Sequence, residues 1–193
     1  MNDFNTKSTH AALLLLLVAG TTGCVADPAD EDVDVPTVAA RPKAWTEYTS
    51  EESLWPLQCP AHTVAHGAVC LGGFCDNISL NCVSNAAFSI GTSSWSSWFS
   101  EETSPNFRKC GAGKLMTGID CNGSYCDDIS IECSVVNTRN NTEPGNCAWS
   151  PYVYSEEDGP YEAPSGKYIA GVGCYGSYCD AMSYWVCSMV QSQ

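Results

Sequence analysis

Basic residues are scarce in this chain. Eight lysines and arginines stand against 22 aspartates and glutamates, a formal net charge of −14 over 193 residues. Gripping a phosphate backbone needs clustered Lys and Arg, so nucleic acid is a poor partner. Histidine numbers only three, and none recurs in the repeats described below. No C-x-x-C pair and no G-x-S-x-G elbow occurs, which removes the usual thiol-redox and serine-hydrolase readings. No window sustains a helical period. The N-terminal apolar run, Ala11 to Ala19, is about nine residues, too short to span a bilayer and suited to a signal-peptide core.

Cysteine, by contrast, is abundant, at 13. Thr21-Thr22-Gly23-Cys24 resembles a bacterial lipobox, with Thr21 where an aliphatic residue is usual. The resemblance implies a signal peptide over 1–23, cleavage before Cys24 and acylation of its thiol. The protein would then be exported and held on an outer or cell-surface membrane. Ordinary cleavage after Ala26, giving a secreted protein, is the alternative. Removing Cys24 leaves 12 cysteines, an even number that suits a disulfide framework in an oxidising compartment. Residues 24–43 are acidic and proline-rich without an aromatic residue, as expected of a disordered tether. Residues 44–193 are long enough for one domain with its own core. That span keeps 16 acids and 5 bases, a surface that favours solubility.

The domain repeats one unit three times, over about 45–82, 95–133 and 149–187. The opening tryptophans, Trp45, Trp95 and Trp149, are 50 and then 54 residues apart. Each copy continues through Ser-Glu-Glu and ends in a cysteine cluster: CLGGFCDNISLNC, CNGSYCDDISIEC and CYGSYCDAMSYWVC. A fixed period of this length marks a repeat architecture. Lys114–Ile119 and Tyr168–Val172 are β-prone and broken by glycine, while Ile129-Ser130-Ile131-Glu132 alternates apolar with polar. A glycine-containing loop between such segments is a hairpin tip. The pattern predicts an all-β, disulfide-rich, three-repeat β-prism with pseudo-threefold symmetry, with a β-trefoil as the alternative.

Trp95-Ser-Ser-Trp98, Cys110-Gly-Ala-Gly113, Gly118, Asp127-Asp128 and Ile129-Ser-Ile-Glu-Cys133 follow one another in order. This order resembles the three-repeat proteins of the vitelline membrane outer layer type, over about residues 45–187. The likeness implies a β-prism of three Greek-key sheets and, for function, a coat role. The Cys-x-Gly-x-aromatic-Cys clasp stands where that family has a longer acidic loop, so functions tied to that loop do not carry over.

The cysteine spacing, C-x4-C-x6-C twice and then C-x4-C-x7-C, does not suit zinc, whose structural sites favour pairs two to four residues apart. No metal or other cofactor is expected. Two cysteines flanking a four-residue loop face each other across a hairpin at disulfide distance, which predicts Cys70–Cys75, Cys121–Cys126 and Cys174–Cys179. The remainder then pair as Cys59–Cys82, Cys110–Cys133 and Cys147–Cys187. The third copy lacks the corner cysteine, having Ala163-Pro164, and gains Cys147. Closing the short ring is worth about 2 kcal/mol and the 24-residue loop about 3.5 kcal/mol in the chain-entropy account.

Asp76, Asp127 and Asp180 follow each clasp. Such a carboxylate either caps backbone N–H groups of the turn or accepts hydrogen bonds from sugar hydroxyls or a Ca²⁺ ion. Phe74, Tyr125 and Tyr178 lie inside the clasps, where rings either pack between sheets or form a platform on which sugars stack. The six residues are the candidate ligand-binding set. Trp45, Trp95 and Trp149 are expected to be packing residues. The recurring Ser-Glu-Glu triplets offer paired acids, but glycoside hydrolysis needs two carboxylates across one cleft. The reading that results is a non-catalytic surface binding module whose partner is an extracellular glycan or surface polymer. A coat protein without a small ligand is the alternative, and a polysaccharide hydrolase stands behind both.

Overall fold

The computed structural model describes residues 44–192. The expected signal peptide, Cys24 and the acidic tether lie outside the described residues. Thirteen strands follow in chain order. They are β1 (Ala44–Trp45), β2 (Leu57–Gln58), β3 (Val64–Leu71), β4 (Asn77–Val83), β5 (Phe88–Trp95), β6 (Phe107–Lys109) and β7 (Lys114–Asn122). Then come β8 (Asp128–Thr138), β9 (Thr142–Trp149), β10 (Tyr154–Ser155), β11 (Tyr161–Glu162), β12 (Lys167–Tyr175) and β13 (Ala181–Gln191). No α-helix occurs among the described residues.

The strands form three sheets, ordered β1-β4-β3-β11, β2-β7-β8-β5 and β10-β13-β12-β6, with β9 also paired to β13. Each is built on one repeat's antiparallel hairpin: β3–β4, β7–β8 or β12–β13. Three separate sheets correspond to the prism rather than to the single closed barrel of a trefoil. The hairpin strands β3, β7 and β12 contact one another pairwise and surround the core. Ile78, Leu80, Ile119, Ile129, Ile131, Ile169, Val172 and Met182, all within it, are fully buried. Each such side chain contributes about 1.5–3 kcal/mol by leaving water. The remote strand ends carry a second buried cluster that includes Val64, Leu115 and Tyr168.

One strand of every sheet comes from a different repeat. β2, from the first repeat, pairs with β7 of the second. β6, from the second, pairs with β12 of the third, and β11, from the third, returns to β3 of the first. The exchange is cyclic and closes the ring. It depends on a glycine in each receiving strand. A Cβ added to Gly67, Gly118 or Gly171 would lie 2.6, 2.8 or 2.6 Å from the carbonyl oxygen of Tyr161, Leu57 or Arg108. The register slips beside each of these glycines, between Ala65 and Gly67, Met116 and Gly118, and Ile169 and Gly171. A bulge of this kind bends a strand sharply, as the corner of a prism requires.

The hydroxyl residue after each opening tryptophan ties the repeat's start to its hairpin. Ile131 N–H donates to Ser96 Oγ at 3.1 Å, and Leu80 N–H and Tyr184 N–H donate to Thr46 Oγ1 and Ser150 Oγ at 2.9 and 3.1 Å. The tryptophans themselves lie on the outer faces. Trp45 and Trp95 are 39% and 37% exposed, so the packing expected of the tryptophans is made at the surface and not in the core, with Trp149 edge-to-face on Phe107 and Trp185. Trp45 and Trp95 pair in register with Asn81 and Glu132, residues on the outward side of the alternating strand.

The six disulfides are the pairs expected from the spacing. Two of them cross seams between sheets. Cys59 and Cys110 extend the exchanged strands β2 and β6, through Cys59 N–H to Thr117 O and Cys110 N–H to Ala170 O. Their partners Cys82 and Cys133 lie in the sheet those strands left. The third seam has no such bond, because Cys147–Cys187 joins β9 to β13 within one sheet. Aromatic packing holds that seam instead: Tyr161 of β11 stacks on Tyr184 of β13 at 4.8 Å, with Tyr154 against both. Burial pushes the Tyr161 hydroxyl up to about 12 and raises that of Tyr184 further.

Gly118→Ala places a Cβ on the backbone of the exchanged strand, where no flexible side chain can yield. A loss of about 1–3 kcal/mol in urea unfolding is expected, against a few tenths for Gly111→Ala, where nothing approaches within 4 Å. Equal costs at the two glycines would contradict the close-approach account.

Candidate functional site

Every clasp has the same backbone. Gly72 and Gly123, at φ/ψ of 83/−172° and 79/−172°, occupy a region essentially reserved for glycine. Gly176 has φ 77°. The aromatic residue and the second cysteine then both adopt left-handed backbone: Phe74 and Cys75 at φ 57° and 60°, Tyr125 and Cys126 at 58° and 60°, Tyr178 and Cys179 at 59° and 55°. Each such residue costs about 1–3 kcal/mol and persists only where its surroundings impose it. Here the clasp disulfide imposes it, holding Cα atoms 4.8–4.9 Å apart across the loop.

The aspartate after the clasp folds back beneath it. A Cβ on Gly72, Gly123 or Gly176 would collide with Oδ1 of Asp76, Asp127 or Asp180. The motif therefore needs its glycine and its aspartate together. The Asp backbone N–H closes each turn onto the O of Gly73, Ser124 or Ser177 at 3.4, 3.3 and 3.2 Å. Asp76 Oδ1 accepts from Asn77 Nδ2 at 2.6 Å, whereas Asp127 Oδ1 is buried without a hydrogen-bond partner. Burial, and then the nearby carboxylates of Asp128, Glu101 and Glu102, raise the Asp127 carboxyl above the ordinary aspartate value.

The three clasps meet. The rings of Phe74 and Tyr125 are 5.2 Å apart, Phe74 and Tyr178 5.5 Å, and Tyr125 and Tyr178 5.6 Å, all tilted or edge-to-face. They form one aromatic triangle at an apex, each ring 40–44% exposed. Beneath it the loops touch in a cycle: Cys75 Sγ lies 3.0 Å from Asp180 O, Cys126 Sγ 3.2 Å from Asp76 O, and Cys179 Sγ 3.0 Å from Asp127 O. These sulphurs are oxidised and carry no proton, so the contacts are S···O approaches rather than hydrogen bonds. Six candidate residues that lie up to 106 positions apart in sequence thus share one site.

The Ser-Glu-Glu triplets belong to the same apex. Each is a turn closed by the residue three positions on: Ser50, Ser100 and Ser155 N–H donate to Ser53 Oγ, Thr103 Oγ1 and Asp158 Oδ2. The N–H and hydroxyl of Ser155, both donating to Asp158 Oδ2, hold that carboxyl below its ordinary range. The turn aims the first glutamate at the next repeat's clasp. Glu51, Glu101 and Glu156 approach the sulphurs of Cys121–Cys126, Cys174–Cys179 and Cys70–Cys75, within 4.8 Å. Glu101 Oε1 accepts from Tyr178 N–H at 2.7 Å. A carboxylate beside two disulfide sulphurs is no metal centre, since metal binding needs thiolates. Each triplet serves a different clasp.

No family model matches this chain, and no solved structure matches it. Millepora cytotoxin-1 of Millepora dichotoma is 30% identical over 91 residues, which is 45% of this chain and 39% of that protein. Among the described residues no helix is long and apolar enough to cross a membrane.

A carboxyl raised by burial and like charge stabilises the fold while protonated. That contribution is lost as pH rises above the ordinary aspartate value of 3.8. Asp127→Asn is therefore expected to melt higher than the parent protein at pH 7, with the difference shrinking toward pH 3. A difference that stays constant with pH would assign the effect to packing instead of charge.

Proposed function

We propose that this domain is a non-catalytic binding head, exported and held at a surface through Cys24, whose clasp apex engages an extracellular glycan or surface polymer. The observation that carries this reading is the aromatic triangle of Phe74, Tyr125 and Tyr178, partly exposed in all three copies. Strained backbone clusters where a protein must present particular groups, and here it is repeated at every ring. Three rings with stapled loops lose little freedom on contact, which favours binding. The sugar's apolar C–H face would lie on the rings.

Carboxylates of Asp127, Glu101 and Glu102 crowd one side of this apex, and the chain is strongly acidic. Like charge repels sulfated and uronic polymers, so the ligand class is a neutral or amino-bearing glycan. A second reading rests on the edge-to-face packing of the rings. In that case the triangle shields the clasps of a coat protein, as the likeness to vitelline outer-layer proteins implies.

A glycan array probed with the purified protein, beside Phe74→Ala/Tyr125→Ala/Tyr178→Ala, separates the two. Binding to neutral or amino glycans by the parent protein, lost in the triple variant with its disulfides intact, is the expected result. A folded parent protein that binds no glycan would leave the coat reading.

A further inference from the structure

The three seams hold one comparable trio each: a residue of the exchanged strand, the receiving glycine, and the hairpin residue across from it. In the first sheet these are Glu162, Gly67 and Asn81, and Asn81 Nδ2 donates to Glu162 Oε1 at 2.9 Å. In the third they are Lys109, Gly171 and Trp185, with the Lys109 ammonium 3.5 Å from the centre of the Trp185 ring. Lys109 Nζ also lies 5.0 Å from the ring centre of Trp149 and 5.2 Å from that of Phe107. That position supplies its own cation.

The second sheet differs. Its trio is Gln58, Gly118 and Glu132, and Glu132, a residue only 5% exposed, lines a cleft of about 210 Å³. Glu132 Oε1 accepts from Gln58 Nε2 and Oε2 from Thr117 Oγ1, both at 3.0 Å. Thr117 Oγ1 spends its only proton on Glu132, so at 2.6 Å Ser134 Oγ is the donor to it. Every donor so placed is neutral, and Glu132 has no ion-pair partner among the described residues. A buried carboxylate is costly without a cation beside it, and it retains lone pairs beyond the two already used. One wall of the cleft is the corner loop with Pro60 and His62; the other is β5, whose register slips between Ile90 and Ser93.

We infer that this cleft, on the outer face of the second sheet, binds a small primary ammonium compound that carries hydroxyl groups, an amino sugar being the fitting class. Gln58 holds the place opposite Glu132 that Lys109 holds opposite Trp185, so the ammonium comes to the carboxylate from the cleft side, at the lone pairs that Gln58 and Thr117 leave open. Ser93, Thr117 and Ser134 offer hydroxyls that suit a polyhydroxylated ring better than the apolar stem of a lysine side chain. The site is separate from the clasp apex and stands without it.

The test is a titration of the ¹⁵N-labelled full chain with glucosamine, followed by NMR. Saturable shifts at the Thr117, Glu132 and Ser134 amides are expected. Glucose and N-acetylglucosamine, which lack the charge, should bind about tenfold or more weakly, the scale of one hydrogen-bonded charge. Glu132→Gln should abolish that preference. Should this variant fail to form its disulfides, Ser93→Trp, an exposed edge-strand change that fills the cleft, gives the answer by blocking the shifts. The triple apex variant should respond to glucosamine as the parent protein does. Equal responses to glucose and glucosamine, glucosamine shifts unchanged in Ser93→Trp, or loss of the response in the apex variant would each overturn the assignment. Stronger binding of Nα-acetyl-lysine methylamide would overturn the sugar class.

Discussion

The carbonyl oxygens of Tyr161, Leu57 and Arg108 rest against Gly67, Gly118 and Gly171, and the rest of the structure depends on that approach. A side chain there would push the exchanged strand away. Without the exchanged strand each repeat would be a hairpin with one bare edge, joined to its neighbours by side chains and clasp contacts alone. Three such approaches close the ring, so the core between β3, β7 and β12 exists only when all three repeats are in place. The covalent bonds follow the same logic, with Cys59–Cys82 and Cys110–Cys133 pinning an exchanged strand to the sheet it left.

The clasps convert this closure into a display. Each disulfide holds an aromatic residue and a cysteine in left-handed backbone, a conformation that a free loop of this length would abandon. Neighbouring loops then brace one another through the cycle of sulphur and carbonyl contacts, and the first glutamate of each triplet comes from the repeat before. An apex assembled this way has little freedom left to lose. That is why its three rings are the strongest candidate for a contact surface.

Symmetry also makes its exceptions informative. The third repeat gives up the seam disulfide and packs Tyr154, Tyr161 and Tyr184 there. The second sheet places a carboxylate where the third carries an aromatic ring under an ammonium. At equivalent positions one sheet sets a lysine over an aromatic ring and another sets a glutamine against a carboxylate, so the architecture itself dictates neither pair.

Much of the fold was legible in the residues. Recurrence of CNGSYCDDISIEC and its two relatives marked three equivalent units. Four-residue loops between cysteines required hairpin staples, and Ile129-Ser130-Ile131-Glu132 required a strand. These are short-range facts, set by chain reach and side-chain alternation, so sequence alone determined them. It did not show that Phe74, Tyr125 and Tyr178 meet, that Trp45 and Trp95 face outward, or that Glu132 lines a cleft. The first depends on how three sheets close on one core, the second on the register of β1 and β5 against their own hairpins, and the third on which sheet a strand as short as Leu57–Gln58 joins. Two residues carry too little pattern to specify a partner. The choice falls to long-range packing, where a strand settles beside the one glycine that lets its backbone come close enough to bond.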